Sequence, residues 1–180
     1  MDIFEACKKG NLERVKELIV SGIDVNRQNK ELVDSGADVN HQNYFDETAL
    51  IYASAYGHLE IVKYLIEIGI DINFQNNNGE TALMLASAYG HIEVIKYLVE
   101  IGADLNHQNK DGNIALMYAS RNGYLEVVRY LIESGSDINL QNENGETALM
   151  LASAYGHIEV VRYLQNIIKS RDRIRKINLF

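Results

Sequence analysis

Proline is absent from the 180 residues, cysteine occurs once, and no apolar run reaches the roughly 18 residues that a membrane-spanning helix needs. Each absence excludes something. Without proline, the 13 glycines must make the breaks in the chain, which predicts glycine-centred turns and a repetitive architecture. Cys7 alone cannot close an internal disulfide, and the N-terminus has no apolar signal segment. Basic residues are also scarce, 17 against 25 acidic ones for a net charge of -8, so the body of the chain repels nucleic acid and anionic membrane. With 47% hydrophobic and 23% charged residues, the composition is ordinary for a globular protein. The expectation is one soluble, intracellular, cytoplasmic domain over residues 1–180.

What the chain does have is a period. Thr48, Thr81 and Thr147 open the string Thr-Ala-Leu in register, with Ile114 in the remaining slot, and Gly57, Gly90, Gly123 and Gly156 follow at steps of 33. Residues 78–94, NGETALMLASAYGHIEV, recur letter for letter at 144–160, which only duplication explains. Each unit reads as two short helices and a polar finger. Thr81 is placed to cap a first helix over 82–89, and Gly90 to end it. A second helix is expected from Ile92 to Ile101, with Glu93 in its first turn and Ile92, Ile95, Leu98 and Val99 along one stripe. The first helix is small and apolar nearly all round, so neighbouring units must cover it.

The period breaks near both ends. Residues 1–29 match later units, Gly10 with Gly57 and Leu18 with Leu65, but carry a polar exterior suited to an N-terminal capping repeat. A 14-residue fragment follows: 30–43, KELVDSGADVNHQN, echoes 16–29, KELIVSGIDVNRQN. It contains no first helix, so we expect a local defect there rather than a regular layer. Full repeats then occupy 44–76, 77–109 and 110–142, and a last repeat occupies 143–180. Ile168 stands where a glycine is due, so the last helix should run on into a basic tail, with Ile167, Ile168 and Ile174 on the stack. Residues 162–180 hold six lysines and arginines against Asp172 alone.

Catalytic and metal chemistry lack the necessary spacing. His58, His91 and His157 share one repeat position, and packed helices lie about 8–10 Å apart, too far to converge on one ion. They read as loop histidines bonding their own turn. His41 and His107 have no ligand partner nearby, and Cys7 aligns with Ser54 and Ser87 as a small packing residue. There is no phosphate-binding glycine loop and no nucleophile elbow. No enzyme, cofactor, metal or small-molecule substrate is expected.

The 33-residue unit, its Thr-Ala-Leu opening, the Gly-His step and the finger entry Gly102 to Asn106 resemble those of ankyrin repeat proteins over essentially the whole chain. The resemblance implies an all-α fold, an ankyrin-repeat solenoid of stacked helix-turn-helix units with finger loops. The chain departs from the family at two slots, with Ala for Pro (Ala49, Ala82, Ala115, Ala148) and Ile or Met for His (Ile51, Met84, Met117, Met150). The function implied is non-catalytic protein binding through the concave face, as an adaptor, inhibitor or effector. That face would present Tyr44, Phe45 and Glu47; Asn77, Asn78 and Glu80; Lys110, Asp111 and Asn113; and Glu143, Asn144 and Glu146 from the fingers. The ends of the first helices would add Tyr56, Tyr89, Arg121, Asn122 and Tyr155. The tyrosines either anchor a partner or fill a ladder between layers. A second row, Tyr64, Tyr97, Tyr130 and Tyr163, falls on a half-exposed back. The partner expected is a protein that is not acidic, bound by a monomer. The alternative is a tether whose 169–180 tail attaches it to membrane or nucleic acid.

Overall fold

The computed structural model describes residues 2–20 and 47–177, and the helices among them come in five pairs. The first helices are α1 (Ile3–Lys8), α3 (Ala49–Ala55), α5 (Ala82–Tyr89), α7 (Ala115–Arg121) and α9 (Ala148–Ala154). Their partners are α2 (Leu12–Val20), α4 (Leu59–Glu67), α6 (Ile92–Glu100), α8 (Leu125–Glu133) and α10 (Ile158–Ile177). The partial repeat expected at 30–43, together with Tyr44 and Phe45, lies outside the described residues.

Capping decides where the first helices start. Thr48, Thr81 and Thr147 accept from the N–H three residues on, at 3.3, 3.4 and 3.3 Å, while Asp2 does the same for Glu5 at 2.8 Å. Ile114 has no oxygen to offer, and α7 begins without a side-chain cap. Once started, α5 buries Ala82, Leu83, Met84, Ala86 and Ser87, so it is covered nearly all round by α3 and α7, as its composition requires. Alanine and serine at 53–54, 86–87 and 119–120 let successive first helices approach, and the first helices pack on one another more closely than the second helices do.

The second helices bury the expected stripe with one residue added and its edges partly covered against the core. In α6 the covered residues are Val94, Ile95 and Leu98, with Ile92 and Val99 only half-buried. The helix ends at Glu100, and Ile101 is its cap. The tyrosine row at 64, 97, 130 and 163 is half-buried, with the Lys16 ammonium 5.7 Å from the Tyr64 ring and the Arg129 guanidinium 4.6 Å from that of Tyr163.

The Gly-His step is an interlayer lock and not a self-contained turn. His58, His91 and His157 donate from Nε2 to the carbonyls of Lys8, Ala55 and Arg121 in the preceding unit, at 2.9, 2.9 and 2.8 Å. The histidine ring also lies over that unit's glycine: a Cβ on Gly123 would sit 2.3 Å from His157 Nδ1. Tyr124 replaces the histidine in the fourth unit and covers Gly90 instead.

The ends of the stack differ from its middle. Met150 is 54% exposed and Ile158 62%, whereas Met84 and Met117 at the equivalent position are 1% exposed, since no layer follows α9 and α10 among the described residues. The last helix does run on, to Ile177. Ile167 and Ile168 pack on the core as expected, but Ile174 stands 58% exposed, because the helix has by then passed the end of the stack.

Cys7 is fully buried in the first layer, at the rung that Ser54, Ser87 and Ser120 occupy above it. Burial, aided by the charge of Asp2, pushes its thiol up to about 12. The folded chain should therefore resist labelling by a thiol reagent at pH 8, and denaturant should release one equivalent of thiol. Rapid labelling of the native chain would place Cys7 at the surface.

Candidate partner-binding face

The three fingers among the described residues are each built around a buried asparagine. Asn76 Oδ1 accepts from the N–H groups of Asn78 and Glu80, both at 2.9 Å, and the same oxygen of Asn142 accepts from Asn144 (3.1 Å) and Glu146 (2.9 Å). The third finger repeats the pattern, since Asn109 Oδ1 accepts from Asp111 at 3.1 Å and Asn113 at 2.8 Å. An asparagine carbonyl that takes two backbone donors closes the finger as a turn. The sequence reading passes over these three residues. Their signal is their recurrence at a step of 33, each three residues before Gly79, Gly112 or Gly145.

Adjacent fingers are also bonded to each other. The backbone N–H of Lys110 donates to Asn78 O at 3.0 Å, and that of Glu143 to Asp111 O at 2.9 Å. His107 Nε2 donates to Gly79 O at 3.0 Å, and Gln108 Nε2 to the carbonyls of Gly112 and Gln141. The row is held by backbone and side chain together, so its outer residues stand on a preformed floor.

The proposed contact residues fall into three groups on that floor. Asn77, Asn78, Lys110, Asp111, Glu143 and Asn144 are exposed on the fingers, and Tyr56, Tyr89, Arg121, Asn122 and Tyr155 are exposed at the helix ends. Glu80, Asn113 and Glu146 are half-buried and bonded within the stack. Glu80 Oε2 accepts from Asn76 at 2.9 Å and its Oε1 from the Tyr118 hydroxyl at 2.6 Å, while Asn142 Nδ2 donates to both Asn113 and Glu146. Glu47 is half-buried and lines a groove.

Two grooves gather most of the exposed members. One, of about 390 Å³, brings Glu47, Tyr56 and Tyr89 together with Tyr52, Ala55 and Leu85. The other, of about 420 Å³, joins Asp111, Arg121, Glu143, Asn144 and Tyr155 with Tyr118 and Met117. Asn77, Asn78, Lys110 and Asn122 line neither groove. Tyr52 and Tyr118 are additions to the expected set, and their signal is that the same slot holds leucine at 85 and 151.

Electrostatics separate the two grooves. Tyr118 is held far above the ordinary phenol range, first by burial and then by its bond to the Glu80 carboxylate, so it serves as a donor and not as an acid. Arg121 lies over the Tyr155 ring at 4.9 Å, amid Asp111, Glu143 and Glu146. Among the described residues no group of three or more His, Cys, Asp or Glu could hold a metal ion.

Comparison with known proteins agrees with the geometry. The family description "Ankyrin repeats (3 copies)" matches residues 3–109 and 101–172, and the search of curated proteins returns no match. The chain belongs to the ankyrin repeat family, whose arrays are generally protein-interaction modules and typically non-catalytic.

Proposed function

We propose that this chain binds a protein partner without catalysis, through the concave face made by its fingers and first helices. One observation carries the reading: along an otherwise repeated stack, Tyr56, Tyr89, Arg121 and Tyr155 stand exposed beside a finger row whose shape is already fixed by hydrogen bonds. A floor that is ordered before docking loses little entropy on docking, and tyrosine and arginine are the side chains that most often anchor interfaces. The carboxylates of Glu47, Asp111 and Glu143 favour a partner segment that is basic or neutral.

A triple variant, Tyr89→Ala, Arg121→Ala and Tyr155→Ala, tests this by affinity capture beside the parent chain and a chain truncated after Lys169. All three residues are exposed, so the melting curve should move little, while capture of the partner should weaken by at least about 2 kcal/mol. Undiminished capture by the triple variant rules the face out. A second reading rests on Lys169, Arg171 and Arg173, exposed on the stretch of α10 that outruns the stack. Loss of binding on truncation alone would move the function to that helix.

A further inference from the structure

Among the described residues, the chain supplies its own cations to two of the three exposed tyrosines at the first-helix ends, Tyr56 and Tyr155, and none to the third, Tyr89. Arg121, the last residue of α7, lays its guanidinium 4.9 Å from the centre of the Tyr155 ring in the next unit. Lys8, the last residue of α1, sets its ammonium 5.6 Å from the Tyr56 ring in the same relation. Lys8 and Arg121 occupy one position of the repeat, and the residue at that position before Tyr89 is Ala55. Alanine cannot reach across. Tyr89 is the most exposed residue of the three, at 59%, with the His91 ring stacked near its own at 6.4 Å. The space beside Ala55 is the groove of about 390 Å³ lined by Tyr52, Tyr56, Tyr89 and Glu47.

We propose that this groove receives an arginine side chain from a protein partner, its guanidinium against the Tyr89 ring in the place that Arg121 takes at Tyr155. The inference rests on the partner-binding function proposed above and adds the chemistry of the contact. A planar, weakly hydrated guanidinium stacks on an aromatic face more readily than a compact, strongly hydrated ammonium does. The lining adds the Glu47 carboxylate, of the sign that draws a cation. Lys8, already over Tyr56, keeps the incoming charge on the Tyr89 side. The wider field agrees: with the basic residues from 162 onward set aside, the remaining chain carries -13.

The test uses the full chain with ¹³C-labelled tyrosine rings, assigned by single Tyr→Phe substitutions and titrated with the blocked peptide Ala-Ala-Arg-Ala-Ala. The glutamine-centred peptide is the comparator. The Tyr89 ring signals should move and saturate with the arginine peptide and not with the glutamine peptide, while Tyr155 stays still because Arg121 covers it. Two variants exchange the sites. Ala55→Arg builds the ligand into the chain and should weaken the peptide's effect on Tyr89 at least tenfold, and Arg121→Ala should make Tyr155 respond. A silent Tyr89, equal movement with glutamine, or an undiminished response in folded Ala55→Arg would overturn the proposal. Should Tyr89 stay silent while the triple variant still loses its partner, the arginine groove falls and the binding face stands. If the peptide binds and the triple variant still captures its partner, the binding face falls and the groove remains as an arginine site.

Discussion

Asn109→Ala is expected to lower the free energy of unfolding by about 2–4 kcal/mol, read as a drop in the urea midpoint. The side chain is 6% exposed and makes three bonds at once. Its oxygen closes the third finger through the Asp111 and Asn113 N–H groups, and its Nδ2 donates to the Tyr118 hydroxyl at 3.1 Å. That hydroxyl in turn donates to Glu80 in the second finger at 2.6 Å, so one residue ties two layers together. Removing it strands two backbone donors inside the turn, and stranded buried groups cost more than the bond itself contributed. Asn77→Ala is the control, on an exposed finger residue, and should stay within about 0.5 kcal/mol of the parent. Equal effects from the two would mean that the finger is not held from within.

Much of the fold is legible in the sequence because its causes are local. Thr81 caps α5, the run 82–89 forms the helix, and the loss of a glycine at 168 lets α10 continue to Ile177. Burial is another matter. Residues 78–94 and 144–160 are identical, yet Met84 is 1% exposed and Met150 54%, and Ile92 is half-buried where Ile158 is 62% exposed. One string has two environments because the next layer covers the first copy and none of the described residues covers the second. The histidines fail to read correctly for the same reason, since His91 bonds a carbonyl 36 residues back rather than its own turn.

The candidate site is legible as a list and not as a surface. Tyr89, Arg121 and Tyr155 can be picked out as places where units differ or repeat, but only the stack shows that, of the tyrosines at the first-helix ends, Tyr56 and Tyr155 hold a cation and Tyr89 has none among the described residues. Glu80 illustrates the opposite error. As a finger carboxylate it reads as a contact for a partner, and both of its oxygens are engaged inside the stack. Tyr118, which engages it, sits on a helix that reads as core, so the pair is invisible until two layers are superposed.

Gly112→Ala should destabilise the chain by about 2–4 kcal/mol and Gly145→Ala by only about 1, although the two glycines occupy one repeat position and have nearly the same backbone. Their φ angles are +76° and +73°, so each alanine meets the same left-handed strain. The difference lies in the neighbour. A Cβ at 112 would stand 2.8 Å from Glu143 N and 2.9 Å from Asn142 Cα, whereas a Cβ at 145 meets nothing within 4 Å. Glu143 cannot withdraw without breaking its bond to Asp111 O, the bond that joins the third finger to the fourth. The clash therefore falls on the connection that keeps the face preformed. Urea denaturation of the two variants measures that connection directly, and equal effects would mean that the fingers are not packed against one another. If the gap appears, Gly112→Ala should also weaken partner capture more than Gly145→Ala, because a floor that must be reordered on docking gives back part of the entropy it was built to save.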